Sequence, residues 1–162
     1  MPERETIRRA RKDKREGKSP STQAGEFVRE EIHHVREGKH GARSTKQAIA
    51  IGLSKARRAG VKLPAPKKGE ASKETRESAK RALARGRRKS KPSPRRSRAM
   101  LRRLKREPRK ATTKRALSRF ARSAARQRTA AERSAAARKA ARTKGARGRS
   151  EAARKAAVTR KK

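Results

Sequence analysis

The segment KHGARSTKQAIAIGLSKARRAG, residues 39–60, decides the fold, because only there do several branched apolar residues fall close together. Ser44 and Gln47 have the spacing of a helix capping box, and Gly60 has the position of a glycine that ends a helix. The segment therefore predicts one helix over residues 45–59. Its apolar arc is too wide for a lone helix, and its polar strip is basic. The wide face is expected to meet helix 20–37, either alone or together with a second copy of the protein.

Gly52 lies inside this predicted helix, where a glycine costs about 1 kcal/mol relative to alanine. Such a glycine indicates close approach of a neighbouring helix. Val61 is expected to fold back on Ala56 as the apolar contact of a Schellman stop.

Two more helices are predicted upstream, over residues 2–16 and 20–37. Gly17 and Gly38 follow them in the position that favours left-handed backbone, and the Ser-Pro pair at 19–20 suits a helix start. The second helix is amphipathic. Its predicted apolar side consists of Ala24, Phe27, Val28, Ile32 and Val35, and its polar side of Glu26, Glu30, His33 and Glu37.

The composition limits how much of the chain can fold. The 162 residues include 55 Lys and Arg against 14 Asp and Glu, a net charge of +41, and only 30% are hydrophobic. A large core is excluded, because such a chain cannot bury enough apolar surface to offset its conformational entropy. We expect a mainly α protein with a small helical module over residues 1–63. A linker over 64–98, with a weak helix at 70–85, and a largely disordered or conditionally helical basic tail over 99–162 would follow.

Enzymatic chemistry is not expected, and no catalytic residue or cofactor is predicted. The chain has no Cys and three His, and no core large enough for a dry cleft. His33, His34 and His40 lack the i, i+4 pair of zinc-binding helices, so no metal site is predicted and the histidines are interpreted as favourable charges near a helix C-terminus. No apolar run resembles a signal peptide or a membrane span, so we expect a cytoplasmic, nucleoid location without membrane attachment.

The charge predicts a polyanionic partner. Residues 78–162 alone hold 34 basic and 3 acidic side chains, whose net charge matches that on about 50 Å of duplex DNA. Double-stranded DNA is favoured over RNA, because the chain nearly lacks the aromatic side chains on which unpaired bases stack. Little sequence specificity is expected. Two alternatives stay open: an RNA- or ribosome-associated basic protein, and a protein-interaction or dimerisation module tethered to nucleic acid by its tail. A homodimer could form through the apolar face of helix 45–59.

The candidate nucleic-acid contacts are basic side chains from all three predicted regions. They are Lys39, Arg43, Lys46, Arg57, Arg58 and Lys62 in the module, Arg95 and Arg96 in the linker, and Arg138, Lys139, Arg142, Lys144, Arg154 and Lys155 in the tail.

Three resemblances bear on this prediction. SPRR, residues 93–96, resembles the Ser-Pro-basic-basic turns of linker and sperm histones, which implies minor-groove contact; a proline hinge is the other interpretation. The Ala/Lys/Arg composition of residues 111–162 resembles linker-histone tails, which implies compaction of DNA. KQAIAIGLSKARRAG (46–60), preceded by REGKHG (36–41), resembles a small bacterial family of basic proteins, formally a domain of unknown function. That resemblance covers residues 15–65, and related copies are loosely labelled DNA-binding or plasmid stabilisation.

Overall fold

The computed structural model describes residues 2–88 and 93–160, of which 76% are helical. The helices are α1 Arg4–Arg15, α2 Pro20–Arg36, α3 Thr45–Arg58, α4 Lys73–Arg88, α5 Pro94–Lys105, α6 Lys114–Arg126 and α7 Ala130–Arg160, with a 3₁₀ turn at Lys110–Thr112. These two ranges contain no β-strand, which confirms a mainly α protein. None of their helices combines the length and the apolar character that a membrane span needs.

The first three helices begin and end within two residues of their predicted bounds. Gly17, Gly38 and Gly60 end them with φ of 70°, 78° and 94°, in the left-handed region. After α3 the predicted Schellman stop is present, because the amide of Val61 donates to the carbonyl of Ala56 at 3.1 Å.

The capping of α3 differs in one detail from the predicted box. Ser44 Oγ accepts a hydrogen bond from the Gln47 amide at 3.2 Å, as expected. The Gln47 side chain bonds the amide of Arg43 at 2.6 Å, one residue earlier than a capping box requires. The pair still fixes where the helix begins.

Gly52 packs against the backbone of α2, as its position inside a helix predicted. A Cβ at Gly52 would lie 2.6 Å from Val28 Cα and 2.9 Å from the Val28 nitrogen. This close crossing of α2 and α3 encloses Phe27, which is 1% exposed. The main apolar cluster is Ala10, Ala24, Phe27, Ala56 and Val61, surrounded by Ile7, Leu53 and Leu63.

The wide apolar arc of α3 has more than one neighbour within the chain. Besides α2, helix α4 and the 3₁₀ turn pack against it. Gly86 of α4 lies against the carbonyl of Arg57 so closely that a Cβ there would overlap it. Three elements of the same chain therefore pack on α3, and Ile49, Ile51 and Leu53 of its apolar arc are half-buried.

Residues 104–112, which we call the return segment, fold back onto the loop between α2 and α3. The amide of Gly41 donates to the Leu104 carbonyl at 2.8 Å, and the amide of Ala42 donates to the Pro108 carbonyl at 3.0 Å. Gly41 has no room for a side chain, because a Cβ would meet the carbonyl of Glu107. These bonds satisfy loop amides that helix geometry leaves without partners.

The end of the return segment completes a second apolar cluster. Thr45 Oγ1 donates to the Ala111 carbonyl at 2.6 Å. Ala111 is buried with Val35, Ala42 and Ala48. The start of the predicted tail is thus packed structure, and the compact N-terminal unit runs to Ser118.

The expected disorder of residues 99–162 is corrected by the structure, in which helices extend through the tail. Residues 119–162 form a second unit, built from the end of α6 and from α7. Alanine, arginine and lysine have high helix propensity, and a cap at Thr129 and Glu132 starts α7. Gly145, with φ of 65°, interrupts α7.

Part of the predicted linker is also helical. The predicted weak helix at 70–85 corresponds to α4, and α5 begins inside the linker. Ser93 occupies the N-cap position of α5 and Pro94 its first turn, so SPRR starts a helix in this structure instead of forming an isolated turn. Residues 89–92 of the linker lie outside the described residues.

Candidate nucleic-acid interface

Four of the predicted contacts of the module are exposed at the two ends of α3. Arg43 and Lys46 are exposed at its start, and Arg58 and Lys62 at or just after its end. A helix of 14 residues is about 21 Å long, so these residues form two groups instead of one surface.

Lys39 is exposed but already has acidic partners. Its Nζ lies 3.1 Å from Glu37 and 3.2 Å from Glu3. These hydrogen bonds, Glu37 first, raise the pKa of Lys39 above its ordinary value. A phosphate at this position would compete with two carboxylates, so Lys39 is a weaker candidate contact than Arg43 or Lys46.

Arg57 stands apart from the other predicted contacts because it is buried, at 7% exposure. Its guanidinium donates to the carbonyls of Leu63 at 3.2 Å and Pro64 at 3.0 Å. Desolvation lowers the pKa of Arg57. Its side chain therefore holds the segment that leaves α3, and it is not presented to an external ligand.

The contact between Gly86 and Arg57 brings the C-terminal turns of α3 and α4 together. Both turns are basic, and their exposed members form what we call the basic junction: Arg58, Arg85, Arg87 and Arg88. The pKa of Arg58 is lowered by desolvation and then by the positive charge of Arg85. Like charges held close together favour a bound anion.

Sequence reasoning missed the members of the basic junction that belong to α4. The available signal was Gly86 inside an Ala/Arg-rich helix, which indicates close packing in the same way as Gly52. Propensity alone could not show which helix it would meet.

Arg95 and Arg96 are exposed in the first turn of α5. Further along this helix a shallow groove is lined by Arg98, Leu101, Arg102 and Lys105. The linker arginines thus begin a basic helix, and α5 extends the cationic surface of the N-terminal unit.

The six predicted tail contacts are all exposed on α7: Arg138, Lys139, Arg142, Lys144, Arg154 and Lys155. At 100° per residue, the basic side chains of α7 point in all directions around the helix. Among the described residues of 119–162, one ion pair forms, between Arg147 and Glu151 at 3.3 Å. Nearly every cation of this unit therefore faces solvent without an acidic partner.

The acidic residues of the N-terminal module are used within the fold. Arg9 pairs with Glu26, and Lys18 Nζ lies 2.8 Å from both Asp13 and Glu16. These bonds, Asp13 first, raise the pKa of Lys18. Internal pairing lowers the cationic density that the module offers to a ligand.

Residues 11–68 match a family described as a family of unknown function, DUF6496. The match contains α2 and α3 and the last five residues of α1, and it ends before α4. No curated protein and no solved structure matches this chain. The family description states no activity.

Proposed function

We propose that this protein is a histone-like, nucleoid-associated protein that binds duplex DNA through the phosphate backbone, with little sequence specificity. The observation that carries the proposal is the exposure of every described Lys and Arg side chain in residues 119–159. Residues 119–162 contain 16 Lys and Arg against two Glu. Lysine and arginine at this density release counterions from DNA and bind it in a strongly salt-dependent manner.

The arrangement of charges on α7 favours bridging over the coating of a single duplex. Gly145 divides α7 into two helical stretches, residues 130–144 and 146–160, each about 22 Å long. Cations on all sides of a helix cannot all face one duplex, so those on the far side are available to a second. A helix of this kind would draw neighbouring duplexes together by neutralising both.

The N-terminal unit would contribute fewer contacts. The basic junction and the pair Arg43 and Lys46 are exposed, whereas Arg57 is buried and Lys39 is paired with acids. We infer that these groups orient the unit on DNA already held by the tail. Phosphate contacts position a protein on the duplex without reading its sequence.

Sequence readout is not favoured by the side chains available. Asn, a common reader of adenine, does not occur in the chain, and Phe27, one of two aromatic residues, is buried. Base stacking as in single-strand RNA modules would depend on Phe120 alone. The apolar arc of α3, on which a homodimer would depend, is partly covered within the chain, with Ile49, Ile51 and Leu53 half-buried, which leaves less of it for a second copy. Duplex DNA therefore remains the partner that we propose.

The test is a salt-dependent binding titration of full-length protein with duplexes of different sequence. One variant changes the six predicted α7 contacts to Gln. A matched variant changes six exposed residues of the N-terminal unit: Arg43, Lys46, Arg58, Lys62, Arg85 and Arg87.

The α7 variant should reduce the slope of log K against log salt by up to about five, because each lost phosphate contact removes about 0.9. The matched variant should reduce it less, and affinities for different duplexes should stay within a few-fold. Equal losses in the two variants would contradict the leading role of the tail. Tighter binding to single-stranded RNA than to duplex DNA would reject the choice of DNA.

A further inference from the structure

A buried cluster of three potential ligands lies between α2 and the loop that follows it. One ligand atom each from Glu31, His34 and His40 lies within 4.8 Å of the other two. The side chain of Glu31 is fully buried, and those of His34 and His40 are 12% and 8% exposed. We call these residues the Glu-His cluster.

The backbone explains why these residues meet. Glu31 and His34 are three residues apart on α2 and so lie on one face of the helix. Gly38, with φ of 78°, turns the chain back so that His40 reaches Glu31. A Glu and a His at i, i+3 are a pair that helical metal sites use. The sequence prediction considered two histidines at i, i+4 and therefore missed this Glu-His pair.

The hydrogen bond of His40 fixes the role of its two nitrogens. Nδ1 lies 3.0 Å from the carbonyl oxygen of Gly41, which can only accept, so Nδ1 carries hydrogen. In the neutral ring, Nε2 then presents a lone pair, 3.2 Å from Glu31 Oε1. A lone pair and a carboxylate oxygen repel each other at this distance, so the contact is favourable only with a proton or a metal ion between the two atoms. A metal-binding histidine typically donates its other N–H to a carbonyl in this way.

The carboxylate of Glu31 supplies an independent observation. Among the described residues, neither of its oxygens accepts a hydrogen bond of acceptable geometry. Lys55 Nζ is 2.6 Å from Oε2, so an ammonium group lies on one side of the carboxylate and the imidazole on the other. Lys55 offsets part of the cost of burying this carboxylate, and a metal ion at Oε1 would supply a further cationic partner.

The surrounding charges can accommodate a divalent ion. Glu30 lies 3.9 Å from His34 Nδ1 and 3.3 Å from Lys55, and Glu3 lies 2.8 Å from His34 Nε2. With Glu31, three carboxylates lie in this region, and the charges of Lys39, Lys55, Arg9 and Arg58 act on them. Carboxylates next to both imidazoles favour a bound cation.

We propose that Glu31, His34 and His40 bind one divalent transition-metal ion, with Zn²⁺ the best chemical match. Two imidazoles and one carboxylate are a known zinc ligand set, and water or Glu30 would complete four-coordination. The ion would link the end of α2 to the loop that receives the return segment. This is a structural role, of the kind that helps modules with small cores to remain folded. The proposal reverses the sequence prediction of no metal site.

The test is calorimetric titration of metal-stripped, full-length protein with Zn²⁺, together with thermal unfolding. We expect one ion per chain and a rise in Tm. His40→Gln and His34→Gln should each weaken binding at least about tenfold, since even indirect changes at metal sites cost about 10–100-fold. His33→Gln is the matched control, because His33 is exposed on the same helix and lies outside the cluster. It should leave binding unchanged.

Equal effects of His33→Gln and His40→Gln, or binding without a rise in Tm, would overturn the proposal. Either result would leave Glu31, Lys55 and His40 as an ion-pair network. Circular dichroism checks that each variant is folded. If His40→Gln does not fold, the visible spectrum of Co²⁺ bound to the unaltered protein decides. Tetrahedral bands are expected, and the spectrum of hydrated octahedral Co²⁺ would reject the site.

Discussion

The N-terminal unit, residues 1–118, and the C-terminal unit, residues 119–162, contain similar residue types arranged in different ways. In the first, buried side chains, close glycine contacts and ion pairs hold four helices and the return segment together. In the second, no described residue is buried, and its helices depend on propensity and capping. The difference shows that a basic chain packs where acidic residues offset its positive charge and small residues let its helices approach closely. Elsewhere its cations face solvent.

Among the substitutions that test this comparison, Gly52→Ala should have the largest effect on the stability of the N-terminal unit. The added methyl would overlap the backbone of α2 at Val28, and such overpacking costs about 1–3 kcal/mol. Hydrogen exchange should show faster exchange of the α2 and α3 amides. The amides of residues 119–160 serve as an internal reference and should not change.

The control for this substitution is Gly25→Ala. Gly25 is helical, with no atom within 4 Å of its Cβ position, so alanine should stabilise α2 by about 0.5–1 kcal/mol. If both substitutions changed the free energy of unfolding in the same direction, close packing would not be what distinguishes Gly52 from Gly25.

A more local effect is expected from Gly41→Ala. A methyl group there would meet the Glu107 carbonyl and displace the return segment. The amides of Gly41 and Ala42 donate to the carbonyls of Leu104 and Pro108, and they should lose protection from exchange. The amides of α1 should keep their protection. Gly148→Ala is the control, since its Cβ position has an ordinary contact at 3.6 Å. Unchanged protection at Ala42 would show that the return segment does not depend on this contact.

The smallest effect concerns the cap of α7. The backbone N–H of Thr129, and then its hydroxyl, donate to Glu132 and hold the pKa of that carboxyl below its ordinary value of 4.5. A lowered folded-state pKa means that the cap stabilises the helix above pH 4.5 and that the benefit disappears as pH falls through the lower value.

Circular dichroism of Glu132→Gln measures this contribution. The variant should have a weaker helical signal than the unaltered protein at neutral pH, and the difference should close on acidification. Glu151→Gln removes the same charge away from the start of α7, so its loss of signal should be smaller. A pH-independent difference for Glu132→Gln would reject the cap as its cause.

Local signals in the sequence predicted much of the N-terminal fold. The glycines that end α1, α2 and α3 and the serine caps act within a few residues, so the helix bounds could be read directly. Gly52 also carried a packing signal, because glycine inside a helix is unfavourable unless something lies close to it.

Contacts between distant residues could not be predicted in this way. Glu30, assigned to the polar side of α2, is 4% exposed because the amide of Glu3 donates to it and Lys55 pairs with it. The return segment is absent from the prediction for the same reason, since Ala111 lies in a stretch whose composition is typical of disorder. The exposure of most candidate contacts could be inferred from their charge. The burial of Arg57 could not, because its side chain donates to the carbonyls of Leu63 and Pro64, which lie beyond the end of α3.

The return segment also imposes an order on biosynthesis. Ala42 and Ala48 leave the ribosome more than sixty residues before Ala111, a delay of roughly 3–14 s at the usual 5–20 residues per second. Once Val61 has emerged, the nascent chain contains every buried member of its first apolar cluster but still lacks Ala111, the last member of its second. The N-terminal unit therefore cannot finish assembling until about two thirds of the polypeptide has been translated.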